Sequence, residues 1–136
     1  MFEELWNQGN LDVVEELFSP SYAGHDPTDP NPGTRETHGH EDIRAFVRMF
    51  QTAAPDLRFT VEDTIAEGDK VIAQWTATGT QRGDLLGLPP TGRRVRVEGV
   101  TIYRIADGKI QEGWQNWDAL GLLRQLGAVT DPLHPD

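Results

Sequence analysis

Cysteine is absent from all 136 residues, which removes disulfides, thiol nucleophiles and thiolate metal sites together and accords with a reducing compartment. Basic charge is scarce: 12 Lys and Arg stand against 22 Asp and Glu, a formal net charge of -10. Nucleic acid and anionic lipid both require clustered Lys and Arg, so neither is an expected partner. No apolar run approaches the roughly 20 residues of a membrane span, and the opening Met1-Phe2-Glu3-Glu4-Leu5 has neither a basic segment nor a long apolar core. A glycine-rich phosphate loop and a nucleophile elbow are also missing, which leaves phosphoryl and hydride transfer poorly supported. These absences describe a soluble, cytoplasmic chain whose partners are small neutral or cationic molecules or other proteins. Its length suffices to bury roughly two thirds of the unfolded surface without a metal or disulfide. Without repeats or low-complexity tracts, residues 1–136 read as one domain.

Helices come first and strands later. Phe2, Leu5 and Trp6, then Leu11, Val14, Leu17 and Phe18, recur at helical spacing around the break Gln8-Gly9-Asn10, where Asn10 is placed to cap a second short helix. Tyr22 to Asp26 is a short extended piece, and residues 26–39, with Pro27, Pro30, Pro32, Gly33 and Gly39, form an irregular loop that can act as a lid. A third helix is expected from about His40 to Thr52, with Ile43, Phe46, Val47 and Phe50 on one face. From Asp56 the period changes to two. Arg58 to Ala66, Lys70 to Thr80, Arg93 to Ile105 and Lys109 to Trp117 read as an antiparallel meander joined by Glu67-Gly68-Asp69 and Ala106-Asp107-Gly108. Gly83 to Gly92 is an ordered loop rather than a tight turn, and Ala119 to Leu126 is a closing helix. This order predicts an α+β domain whose helices cover one concave face of a curled antiparallel sheet, an arrangement able to enclose a ligand.

The end of the last strand carries the leading candidate for chemistry. Alternation puts Glu112, Trp114, Asn116 and Asp118 on one face, so a carboxylate stands beside indole and amide, in what is expected to be a closed pocket. Asp118 also precedes the apolar run Leu122, Leu123, Leu126 and is placed as a helix N-cap; capping and acid/base roles both stay open. His25, beside Asp26, is a second candidate for proton transfer, or a residue that merely terminates a strand. Trp75, Tyr103 and Trp114 line the cavity or belong to ordinary sheet core. His38-Gly39-His40 with Glu41 and Asp42 is the one metal-like cluster, but it lacks ligand spacing fixed on an element, and no metal is expected. Arg93, Arg94, Arg96 and Arg104 look like sheet-surface pairing partners.

Four segments together carry a resemblance: Leu17-Phe18-Ser19-Pro20-Ser21-Tyr22-Ala23-Gly24-His25-Asp26-Pro27, Pro55 to Asp63, Gly87-Leu88-Pro89-Pro90-Thr91-Gly92, and Asp107 through Gly127. In this order they resemble the SnoaL-like polyketide cyclases, or ester cyclases. The resemblance implies an NTF2-like, cone-shaped sheet covered by N-terminal helices, with a short C-terminal helix, a deep pocket between the two layers, and a homodimer packed through the sheet. It further implies cofactor-free intramolecular aldol cyclisation of a polyketide ester, with Asp118 as the acid/base group. His25 would be a second catalytic group, and Trp75, Tyr103, Trp114, Asn116 and His40 would hold the substrate. Two other classes remain open: isomerase or hydrolase chemistry on the same fold, of the ketosteroid isomerase or epoxide hydrolase kind, and a non-catalytic small-molecule-binding protein.

Overall fold

The computed structural model of the chain describes residues 2–128. Phe2–Asn7 forms one wide turn in which the Gln8 amide reaches back five residues to the Glu3 carbonyl at 2.9 Å. Helix α1, Val13–Leu17, follows. Asn10 does not cap it as expected. Its Oδ1 accepts from the Asp12 amide at 3.2 Å, which makes a turn ahead of the helix and leaves Asp12 at the N-cap position.

The chain then runs through β1, Phe18–His25, and the short edge strand β2, Glu36–His38, into helix α2, Gly39–Ala53. Strand β1 starts four residues earlier than the extended piece read from sequence. Strands β3, Arg58–Glu67; β4, Lys70–Thr80; β5, Arg94–Ala106; and β6, Lys109–Trp117 follow, within a residue of their expected bounds. Helix α3, Ala119–Gln125, closes the described chain. The strand order is β2-β1-β6-β5-β4-β3. Strands β3 to β6 are the expected antiparallel meander, but β1 lies parallel to β6, so the sheet is mixed rather than wholly antiparallel. The reason is topological: β1 joins the free side of β6 from a segment about ninety residues upstream, a long-range pairing that no hairpin turn announces.

Alternation decides which face is covered. On β5, Val95, Val97, Gly99, Thr101 and Tyr103 are buried, while Arg94, Arg96, Glu98 and Val100 are exposed. Helix α2 turns Ile43 and Val47 inward onto Leu5, Phe18, Tyr22 and Tyr103. The C-terminal helix sends Leu122 and Leu126 to a second cluster with Trp75, Ala77, Leu85, Val95 and Val97. Each such aliphatic side chain contributes about 1.5–3 kcal/mol on full burial. Gln81, 1% exposed, organises the loop after β4 by donating to the Leu88 and Pro89 carbonyls and accepting from the Thr91 amide and hydroxyl. Arg94, Arg96 and Arg104 pair with Asp56, Glu98 and Glu112 along the exposed sheet surface, as expected, whereas Arg93, ahead of β5, donates instead to the Gln125 carbonyl at 3.1 Å.

Candidate functional site

Pairing of β5 with β6 fixes the side on which each β6 residue lies. Tyr103 is opposite Gly113, Thr101 opposite Gln115 and Gly99 opposite Trp117, so Gly113, Gln115 and Trp117 face inward with the buried row of β5, while a register shift at Arg104/Ile105 turns Ile110 into the core at the start of β6. Between this row and the helices lie two adjoining chambers. The polar one, about 560 Å³, is lined by Tyr22, Asp26, Thr34, Thr37, Thr101, Tyr103 and Gln115 above an aliphatic floor of Leu5, Ile43 and Val47. The apolar one, about 640 Å³, is lined by Phe50, Leu57, Phe59, Trp75, Val95, Val97, Trp117 and Leu122. Trp6, Phe46 and Gln115 line both and join them.

Among the described residues Asp26 is the one carboxylate lining either chamber. It is 6% exposed. Its Oδ2 accepts the Trp117 indole N–H at 2.8 Å and the Gln115 amide at 3.4 Å, and its Oδ1 accepts the Thr28 hydroxyl at 2.9 Å. Burial pushes its carboxyl above the ordinary value, against the Trp117 and Thr28 hydrogen bonds, which lower it. Tyr22 is pushed up to about 12 by burial, with Glu112 adding to the rise, so it is a neutral donor at physiological pH. Tyr103 is raised further in the same direction by burial.

Of the residues read as either cavity lining or sheet core, Tyr103 lines the polar chamber and Trp75 the apolar one, and Trp75 donates its indole N–H to Thr101 Oγ1 at 2.9 Å. The face expected to carry the chemistry on β6 lies on the other side of the sheet. Glu112, Trp114, Asn116 and Asp118 do share a face, but it is the outer one. Asp118 is exposed, accepts the Gly121 amide at 2.9 Å and caps α3, and with Asn116, Arg96 and Glu98 it borders an open outer groove. Trp114 stacks on His25 with ring centroids 5.8 Å apart, with the Lys70 ammonium 5.9 Å from its own centroid.

His25 edges the polar chamber but is not oriented by Asp26. Its Nδ1 and Nε2 lie 2.8 Å from Glu36 and 2.8 Å from Glu112 on the outer face, because adjacent residues of an extended chain point to opposite sides. His40 reaches neither chamber; its Nε2 bonds the Phe18 carbonyl at 2.8 Å and ties the first turn of α2 to β1. Among the described residues no group of acidic or histidine side chains is arranged to hold a metal.

Asp26, Gln115, Trp117, Thr101 and Tyr22 were not singled out as site residues from sequence. The signal that finds Gln115 and Trp117 is the alternation of β5, whose charged even-numbered residues mark the solvent side of the sheet and whose pairing carries that side to β6. The expected lid, residues 26–39, is a braced cover. The Asp29 carboxylate, 1% exposed, accepts from the Asn31 amide and the Thr34 hydroxyl, and the Arg35 guanidinium binds the Asp29 carbonyl at 2.8 Å.

Known proteins share this fold. The family model for SnoaL-like polyketide cyclase matches residues 1–126. Nogalonic acid methyl ester cyclase of Streptomyces nogalater is 35% identical over 127 residues, covering 90% of this chain and 89% of that protein. Aklanonic acid methyl ester cyclase of Streptomyces peucetius is 35% identical over 126 residues, covering 91% and 84%. Among solved structures, TsrD from Streptomyces laurentii superposes with a TM-score of 0.82 at 37% identity, over 94% of this chain and 90% of that one. A SnoaL-like protein from Jannaschia sp. CCS1 gives 0.83 at 32%, over 94% and 87%.

Proposed function

The chain belongs to the SnoaL-like polyketide cyclase family, and from that premise we propose that it closes a ring in a polyketide-type ester by intramolecular aldol addition, with Asp26 as the acid/base group. The observation that carries this reading is the placement of a single buried carboxylate where the polar chamber meets the apolar one. Desolvation raises its proton affinity toward the range useful at neutral pH.

In the reaction, the Asp26 carboxylate takes a proton from a methylene flanked by two carbonyls, and the charge spreads into the substrate as an enolate. The enolate carbon bonds to a ketone carbon within the same molecule, and the resulting alkoxide recovers the proton from the Asp26 carboxyl group. Atoms and charge balance, and the enzyme returns to its starting state. Tyr22, Tyr103 and Thr101 supply hydroxyls to the oxygenated end of the ligand, while Trp75, Phe59 and Trp117 pack against its ring system. Enclosure does the orienting, and orientation is what makes an intramolecular addition fast.

Aklanonic acid methyl ester, the compound in the name of one relative, is the first substrate to assay, beside a steroid enone and an epoxide for the alternative chemistries. Asp26→Asn is expected to lower kcat by about 10²–10⁴-fold and Asp118→Asn by less than about threefold, since Asn also caps. Equal loss in the two variants, or loss only in Asp118→Asn, rejects the reading. A homodimer joined through the outer sheet face and a cytoplasmic site of action belong to the same proposal. Ile65 and Val100, exposed hydrophobic residues paired opposite Ile72 and Gln74 on that outer face, support the first. Light scattering of the purified chain and fractionation of cells that make it test the two.

A further inference from the structure

A carboxylate turns easily about its last side-chain bond unless both oxygens are held. One residue reaches both oxygens of Asp26. The Trp117 indole N–H donates to Oδ2 at 2.8 Å. The Trp117 backbone N–H donates to Thr28 Oγ1 at 3.1 Å, and the Thr28 hydroxyl donates to Oδ1 at 2.9 Å. The direction of this relay is fixed, because a backbone amide can only donate and so leaves the Thr28 proton free for Asp26. The clamp stands at the end of β6, opposite Gly99, where a Cβ would lie 2.9 Å from that of Trp117 and 2.3 Å from the Trp75 ring. Glycine there is what admits both indoles to one row. The Trp117 ring also lines the apolar chamber, so a single side chain touches the ligand space and the carboxylate together.

We infer that Trp117 is a positioning residue for the cyclisation, holding the plane of the Asp26 carboxylate by its indole N–H on one oxygen and by its backbone N–H through Thr28 on the other. The inference rests on the reading that Asp26 is the acid/base group. The signal lies one residue before Asp118, on the opposite face of the same strand.

The test is a carboxyl-carbon NMR titration of Asp26 in the parent, Trp117→Phe and Thr28→Val, with Asp26→Asn for assignment, followed by pH–rate profiles on aklanonic acid methyl ester. Trp117→Phe keeps an aromatic ring and removes the N–H. It is expected to move the Asp26 titration upward by about one to two pH units, and Thr28→Val by about half to one. The acid limb of kcat/KM should follow the titration, with kcat lowered about 10- to 100-fold and KM changed less than about threefold. An Asp26 titration within about 0.3 unit of the parent in a folded Trp117→Phe overturns the inference, since a ring that only packs would not move it. If Trp117→Phe does not fold, Thr28→Val, the smaller change, decides the question through the second arm of the clamp, and an unmoved titration there overturns the inference equally. Parental turnover by Asp26→Asn removes the reading beneath the inference, and it is recognised separately because the titration requires no turnover.

Discussion

Asp118 and Asp26 both accept N–H donors, yet their surroundings give them opposite chemistry. Asp118 is exposed and bonds the Gly121 amide at the start of α3. Truncating such a cap to Ala typically costs about 1 kcal/mol, whereas Asn retains it. Asp118→Ala should therefore lower the urea midpoint while Asp118→Asn leaves it near the parent's; equal midpoints for the two would deny the cap. The capping role was legible in Asp118 followed by Leu122 and Leu126.

Asp26 is buried, and its folded-state carboxyl sits above the ordinary 3.8. Between that value and the raised one the folded chain holds a proton that the unfolded chain has lost, so stability falls as pH rises through this window and is flat above it. Asn carries no such charge. The stability of Asp26→Asn relative to the parent should shift in favour of the variant as pH rises from the ordinary 3.8 through the raised folded value, read from paired urea melts, and an unchanged difference would count against a desolvated carboxylate. Nothing in the sequence announced this burial, because it comes from Trp117 and Gln115, about ninety residues further along the chain.

At the scale of elements, the meander was legible because each of its strands alternates and each hairpin carries Gly at a turn. The face of β6 was not read correctly: period two says which residues share a side, not which side is covered. That choice was written in β5, where Arg94, Arg96 and Glu98 oppose Val95, Val97 and Tyr103, and it passes to β6 only through their register. The cover over residues 26–39 was legible as irregular backbone but not as braced. Its Asp29 and Asn31 accept from amides two residues on, a local pattern that such side chains favour. Asp29→Ala leaves the Asn31 amide and the Thr34 hydroxyl without their partner, at about 1–3 kcal/mol for each group that remains buried. A lower urea midpoint is expected, together with new proteolytic cleavage between residues 27 and 35. Parental protease resistance would show that the brace does not depend on this carboxylate.

Across the whole molecule, the junction that sequence order hides, β1 parallel to β6, is held on its outer face by one histidine. Both ring nitrogens of His25 face carboxylates, Glu36 on β2 and Glu112 on β6, at 2.8 Å each. A neutral imidazole has one N–H and can satisfy only one of them, so this geometry calls for the imidazolium. Arg104, from β5, meets Glu112 at 3.3 Å and carries the network to a fourth strand. The Glu112 hydrogen bond is the leading cause that raises the His25 value above 6.5, while His25 is the leading cause that lowers Glu112 below 4.5. The sign follows from linkage. A raised histidine contributes stability that is complete below its unfolded value and is lost as pH rises through its folded one. A lowered glutamate contributes stability that is complete above its unfolded value and is lost as pH falls through its folded one. The network is therefore strongest between about pH 4.5 and 6.5, the two ordinary values. His25→Gln should lose more stability against the parent at about pH 5.5 than at about pH 9, measured as paired urea midpoints. Equal losses at the two pH values would mean that the ring is held by its stacking on Trp114 rather than by its charge. Thr34 and Thr37, beside Glu36, line the polar chamber, so the charge that joins β2 to β6 on the outer face also seats the cover over Asp26 on the inner one.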